Sequence, residues 1–232
     1  MYEKINNKTS IIMAACDENF FMRQITSTSL GNISKYTDRE DYEMILVDNN
    51  NQGRGQSTLN DRNNIILIDK YIEVEGDIGV SASLNLGFKN SDTTTKYLCF
   101  IHNDVFVWEG WLTKLRLLLE GGYDWVRPSQ GRITREQVKA ALEGKNQETL
   151  WEDAGLTLVT RELFEKIGGY DERFKSTYHE AAFRKKMSKV NNQGLSTDQV
   201  IITHIGGVTI VGTDRIYGEY RGVEATILDN EL

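Results

Sequence analysis

Short apolar runs of strand length alternate, through the first half of the chain, with longer stretches whose apolar positions recur at helical spacing. That rhythm predicts an α/β fold, with strands of a mostly parallel sheet joined by crossover helices. Ser10 to Ala15 reads as the first strand, and Phe20, Met22, Ile25, Leu30 and Ile33 then fall on one helical face. Tyr42 to Val47 is the second strand, running into Asp48-Asn49-Asn50, and Asn64 to Ile68 is expected as the third. Beyond the breaker Gly79, Val80 to Phe88 reads as a helix with Leu84 and Phe88 on one side. Tyr97 to Ile101 is a central strand, Leu112 to Leu119 a leucine-rich helix, and Trp125-Val126 opens a further extended segment.

After Val126 the rhythm loosens. Ile133 to Leu142 and Thr149 to Trp151 flank the polar stretch 143–148, which reads as an exposed insertion rather than a linker. Leu156 to Val159 resumes an apolar run, and Arg161 to Ile167 follows as a short helix ended by Gly168-Gly169. Phe183 to Val190 is a later helix and Val200 to Ile205 a late strand, while 208–232 reads as a C-terminal tail or lid.

A chain of 232 residues builds one sizeable core, and 39% apolar with 26% charged residues is the usage of an ordinary globular protein. Its longest apolar runs, such as Ile11 to Cys16, fall far short of the roughly 20 residues that cross a bilayer. The polar start Met1-Tyr2-Glu3-Lys4 does not open a signal peptide, so a cytoplasmic location is expected. Cys16 and Cys99 each lie in an apolar run and read as reduced core residues, which leaves no disulfide framework and no zinc knuckle. A net charge of −7 argues against a surface built mainly to neutralise nucleic-acid phosphates.

Ligands of open α/β sheets bind beyond the carboxyl ends of the strands. Asp17, Asp48 and His102-Asn103-Asp104 stand at three such ends. A carboxylate there is held on rigid backbone and can meet a divalent cation, which bridges diphosphate oxygens and neutralises a leaving nucleotide. Asp104 fits that role; the alternative is a cap on the turn before Trp108 to Trp111. His204, one of three histidines, ends an apolar run before Ile205-Gly206-Gly207. It reads either as a second metal ligand or as a structural histidine, and the glycines beside it favour close approach of backbone to a phosphate.

These pieces resemble the family 2 glycosyltransferases, which have the GT-A fold, over about Ser10 to Gly207. Tyr42 through Asn50 is similar to the family's second strand and its nucleotide-contacting Asp, here Asp48. Gly79 through Asn85-Leu86-Gly87-Phe88 is similar to the region that borders the donor, and His102-Asn103-Asp104-Val105 stands at the Asp-x-Asp metal motif. Gly110-Trp111-Leu112 matches the family's Pro-Gly-Trp-Leu. The most specific match is Gly155 to Val159 with Arg161 through Gly168-Gly169-Tyr170-Asp171-Glu172-Arg173-Phe174, the acceptor-side signature.

The resemblance implies a single GT-A domain over 1–207, with a nucleotide-sugar half at about 10–105 and an acceptor half at about 106–207. It places Ala15, Asp17, Asp48, Gly79, Asn85 and Asn103 on the donor, and Trp151, Asp153 and Gly155 on the acceptor side. Asp104 and His204 would bind the metal, Mn2+ or Mg2+. The chain also departs from the pattern. His102 replaces the first Asp of the metal motif, and Cys16 stands near the place of the residue against the base, which leaves the nucleotide open. Where the family continues to Glu-Asp-x-Asp, this chain has Tyr178-His179-Glu180-Ala181-Ala182. Alignment puts Glu180 at the catalytic base, with His179 beside it to orient or replace it. The alternative for Glu180 is a carboxylate that favours a helix N-terminus, and Arg184, Lys185 and Lys186 read as a solvated helix face.

The implied function is metal-dependent, hexosyltransferase-like transfer from a nucleotide diphosphate sugar, a UDP-sugar first, to an acceptor hydroxyl with inversion. The acceptor is a glycan, a protein or a modified nucleic acid. Alternatives are a retaining enzyme, including one of viral origin acting on hydroxylated DNA bases, and a catalytically silent sugar-nucleotide-binding protein. A nucleotidyltransferase on a similar sheet would release pyrophosphate, and the acceptor-side signature speaks against it.

Overall fold

Strands that are apolar along their whole length must be covered on both faces, as in a parallel sheet with helices above and below. β1 (Thr9–Ala15), β2 (Tyr42–Asp48) and β4 (Tyr97–His102) are of this kind, buried almost throughout. Alternate side chains feed two cores. Ile11, Met13, Met44, Leu46, Cys99 and Ile101 pack with Leu30 and Ile33 of α1 (Phe20–Lys35) and with Trp111 and Leu115 of α3 (Trp111–Glu120). On the opposite face Ile12, Ile45, Leu98 and Phe100 meet Leu84 of α2 (Val80–Lys89), Phe164 of α4 (Arg161–Lys166) and Phe183 of α5 (His179–Ser188). The computed structural model describes residues 8–16, 20–49, 66–131, 150–151, 155–176, 178–190, 192–205 and 223–228. The side chain of Phe20, Asp17, Asp153, the run 133–142 and the expected insertion at 143–148 lie outside them.

The sheet runs β3-β2-β1-β4-β8-β6-β9-β5, with β3 at Lys70–Glu73, β5 at Val105–Phe106, β6 at Trp125–Gly131, β8 at Leu156–Thr160 and β9 at Gly194–His204. β3, β2, β1 and β4 are parallel, as expected of a mostly parallel sheet. Beyond β4 the sheet is mixed. β8 lies antiparallel to β4 and β6, β9 runs parallel to β6, and β5 returns antiparallel to β9. The short β7 (Leu150–Trp151) pairs with β6.

Two strands differ from expectation. The third strand is Lys70–Glu73 rather than Asn64 to Ile68: Ile66 is 76% exposed and residues 64–65 lie outside the description. Asp69 anchors the chain ahead of the strand, its carboxylate accepting from Met44 N at 2.7 Å and its own N–H donating to Met44 O at 2.9 Å. β9 begins at Gly194, ahead of the expected Val200, because backbone pairing with β6 carries its polar half. A Cβ at Gly194 would sit 1.8 Å from the Trp125 ring, so only glycine admits this approach.

Residues 206–222 and 229–232 of the expected tail lie outside the description, but 223–228 form a short helix, α6. Glu224, 1% exposed, accepts from Lys175 N at 2.6 Å and Ser176 N at 2.9 Å. That carboxylate ties α6 to the loop leading into α5. Glu224→Ala deprives both N–H groups of this acceptor and is expected to cost about 1–3 kcal/mol, read as a melting temperature several degrees lower. No helix among the described residues is long and apolar enough to cross a membrane.

Candidate metal centre

β4 ends at His102, and the turn Asn103-Asp104 leads straight into β5. β9 closes on the same turn: His204 pairs with Val105, and Ile205 N donates to Asp104 O at 3.1 Å. Backbone pairing thus sets side by side residues far apart in sequence. His204 Nε2 lies 3.1 Å from Asp104 Oδ1 and 3.3 Å from His102 Nδ1. His204 Nδ1 lies 3.0 Å from Gln130 Oε1, to which it donates, while Nε2 faces Asp104. A carbonyl that fixes the far nitrogen is the usual support of a metal-ligating imidazole. Asp104 is 5% exposed, and His102, Asp104 and His204 place three ligand atoms within 4.8 Å of one another.

Gly155 closes the back of this group. Its carbonyl accepts from His102 N at 2.8 Å, its φ is +59°, and a Cβ there would lie 2.8 Å from His204 Cε1. Gly155→Ala is expected to displace the His204 ring and weaken Mn2+ binding about tenfold or more, measured by Mn2+ titration followed by electron paramagnetic resonance.

α5 brings the second half of the cluster. His179 Nε2 stands 3.2 Å from His102 Nε2, and Glu180 Oε1 lies 3.8 Å from the same nitrogen. All three of the chain's histidines therefore meet in one place. Glu180 Oε2 is paired at 3.2 Å with Arg127 Nη2 of β6, whose side chain is 2% exposed. Tyr178, which opens α5, holds the left-handed φ of +53°, an uncommon conformation for a non-glycine residue.

Burial, then the charge of His102, pushes the His179 imidazole down to about 4, and burial also lowers His102. For Glu180 burial acts upward, but the positive charges facing it, from His102 and then Arg127, outweigh burial and hold the carboxyl at about 2. At neutral pH His102 and His179 are therefore neutral and Glu180 is ionised, the states that bind cations.

Acid is expected to destabilise the fold through His179. An unfolded histidine titrates near 6.5, above the native value of about 4 for His179. The unfolded chain then binds more protons in that interval, and stability falls as pH drops from about 6.5 to about 4, by up to about 1.4 kcal/mol per unit for one group. Glu180 adds stability above its unfolded value that is lost as pH falls toward about 2. Thermal melts across this range are expected to show the decline, with a shallower slope for His179→Gln above pH 4.5.

At the ends of β1 and β2, Asn49 N donates to Ala15 O at 2.7 Å, and Asp48 Oδ2 accepts from Tyr71 OH at 2.5 Å. Asn49 Nδ2 reaches Asp77 Oδ1, which also accepts from Gly79 N, each at 2.8 Å. Gly79 has φ +85°, and a Cβ there would lie 2.7 Å from Lys175 Cα, so the start of α2 presses on the loop before α5. The Asn85 amide ties that helix to the 170–172 turn, donating to Tyr170 O and Glu172 Oε1 and accepting from Tyr170 N. Asn103 Nδ2 donates to Thr26 Oγ1 at 2.8 Å, locking the metal turn to α1. Trp151 lies opposite Gln130 in the β6–β7 pair.

Asp104, His204, Gly155, His179 and Glu180 thus share one cluster, and Asp48 and Gly79 frame the neighbouring strand ends. Arg127, Gln130 and Asp77 were not anticipated. The only signal in sequence was a charged and an amide residue in the segment opened by Trp125-Val126.

The sequence profile described as glycosyl transferase family 2 matches residues 10–189. No curated protein sequence matches the chain. Among solved structures, GalNAc-T7 with UDP, GalNAc and Mn2+ superposes with a TM-score of 0.65 at 16% identity, over 88% of this chain and 45% of that one. TarS of S. aureus gives 0.64 at 14% identity, over 97% of this chain and 66% of that one. The mannosyltransferase PcManGT from Pyrobaculum calidifontis, in complex with GDP-Man and Mn2+, gives 0.65 at 16% identity, over 93% and 60%. This chain therefore spans 45% to 66% of the length of these three structures. They agree with the observed GT-A architecture, and the profile match covers well over half of the sequence: the chain belongs to glycosyl transferase family 2.

Proposed function

We propose that this chain is a metal-dependent glycosyltransferase that moves a sugar from a nucleotide diphosphate sugar to an acceptor hydroxyl with inversion. The observation that carries the reading is the meeting of His102, Asp104 and His204 at the carboxyl end of the central strand, with the far nitrogen of His204 fixed by Gln130. The donor set fits a divalent ion, and two or more imidazoles favour Mn2+ over the all-oxygen preference of Mg2+. Such an ion supplies charge neutralisation to the departing diphosphate. GalNAc-T7 and PcManGT hold Mn2+ with UDP and GDP-Man respectively, which supports a nucleotide sugar as donor, a UDP-sugar first.

Asp104 and His204 hold the ion. Ala15, Asp17, Asp48, Gly79, Asn85 and Asn103 border the donor, with Asn85 and Asn103 acting through the elements they lock. Trp151, Asp153 and Gly155 belong to the acceptor side. Glu180, kept ionised, takes the proton of the acceptor hydroxyl as it attacks the anomeric carbon, with His179 packed beside it. The acceptor class is a glycan, a protein or a modified nucleic acid. Cys16 and Cys99, both buried thiols, suit a reducing compartment such as the cytoplasm.

One observation favours a retaining mechanism instead: the Arg127 pair weakens Glu180 as a base. The test is incubation with UDP- and GDP-sugars, Mn2+ and glycan, peptide and hydroxylated DNA acceptors, followed by nucleoside diphosphate release. Release from at least one donor with an inverted anomeric centre by NMR is expected. Retention overturns the base assignment, and no release across the panel contradicts transferase activity.

A further inference from the structure

The His102 ring stands between two groups of ligand atoms. One is formed with Asp104 and His204, the other with His179 and Glu180, and in each the atoms lie within 4.8 Å of one another. We propose that the second group, His102 Nε2, His179 Nε2 and Glu180 Oε1, is a separate binding site for a borderline transition ion such as Zn2+, exclusive with full occupancy of the first. The inference goes beyond the proposed function and uses that reading only to name what the second ion would displace.

Geometry supports a shell of this kind. Nitrogens 3.2 Å apart are neighbouring ligands of one ion: with metal–nitrogen bonds of about 2.1 Å they subtend about 100°. The Glu180 oxygen, 3.8 Å from His102 Nε2, completes a wider angle. Two imidazoles and one carboxylate form a donor set that suits Zn2+ and its neighbours better than Mg2+. Its members are enclosed: His179 is 7% exposed and the Glu180 side chain 14%. Arg127 holds the other Glu180 oxygen, which leaves Oε1 turned to the histidines.

Exclusivity follows from the tautomers. A neutral imidazole has one ring nitrogen with a free lone pair. Gln130 Oε1 accepts a hydrogen bond from His204 Nδ1, so in the neutral ring it is His204 Nε2 that carries the lone pair. His102 then has two choices. With its proton on Nδ1 it donates to His204 Nε2, 3.3 Å away, and its Nε2 lone pair faces His179 and Glu180. With its proton on Nε2, the Nδ1 lone pair joins Asp104 and His204 instead. An ion in the second group therefore removes His102 from the first and occupies the carboxylate proposed as base. Zn2+ is expected to oppose Mn2+-supported turnover.

The test measures Zn2+ affinity by competition with a chromophoric chelator, for wild type, His179→Gln, Glu180→Gln and Asp104→Asn, each checked for folding by circular dichroism. Weakening of about tenfold or more in either folded variant of the second group, with a change under about threefold in Asp104→Asn, is expected. Equal affinity in His179→Gln and Glu180→Gln, or an equal loss in Asp104→Asn, overturns the second site. Failure of the functional reading shows separately, as Mn2+-supported nucleotide binding that is indifferent to Asp104→Asn.

Discussion

Asp104→Ala is expected to lower Mn2+-supported release of nucleoside diphosphate about a thousandfold, the scale of several kcal/mol of charge stabilisation at a leaving group. Asp104 is the one carboxylate of the group it forms with His102 and His204, and it is almost fully buried. Two imidazoles alone would hold an ion weakly and leave its charge less compensated. The fold should survive, because the turn is fixed by main chain: Ile205 N bonds to the Asp104 carbonyl, and β5 pairs with β9 through backbone. Removing a buried anion also removes its desolvation penalty. An unchanged melting temperature with lost turnover is the expected pair of results, and unchanged turnover removes the metal role from Asp104.

Glu180→Gln is the second large effect. Loss of a positioned base lowers the rate by about 100- to 10,000-fold. The same substitution takes a carboxylate from Arg127, whose side chain is 2% exposed, and breaking such a buried pair costs up to about 3–5 kcal/mol. Both losses are expected, and they separate by temperature. Assayed well below its own melting point, the variant keeps donor affinity but loses turnover if Glu180 is the base. Full turnover in the folded variant would leave Glu180 as no more than the partner of Arg127.

The parallel half of the sheet was legible because β1, β2 and β4 are buried on both faces and therefore read as unbroken apolar runs. β3 was misplaced because it is a short edge strand, intermediate in burial and anchored by Asp69, with no apolar run to mark it. The early part of β9 was hidden for a related reason. Its residues 194–197 are held by pairing with β6, and the register shift between Pro128 and Ser129, which skips residues 198–200, breaks any simple alternation.

At the site, local patterns identified strand ends but not their meeting. His102 and His204 are 102 positions apart, and no spacing rule joins them; the family resemblance paired His204 with Asp104, not with His102. His102 read as a missing aspartate, whereas in the structure its two ring nitrogens face two different sets of partners. Arg127 and Gln130 were invisible because their roles depend on β6 lying between β8 and β9, a long-range pairing. Asn85 was expected on the donor, and in the structure its amide is bonded to the 170–172 turn, a long-range contact that no local pattern announces.

The central claim is that an ion held at Asp104 and His204 receives the diphosphate. Linkage requires that such an ion tighten nucleotide binding and that the nucleotide tighten the ion by the same factor. Isothermal titration of UDP and GDP into the wild-type chain, with saturating Mn2+ and again with EDTA, measures this directly. The account predicts that at least one nucleotide binds about tenfold or more tightly with Mn2+, a coupling of about 1.4 kcal/mol. Equal affinity with and without the ion for both nucleotides would contradict it.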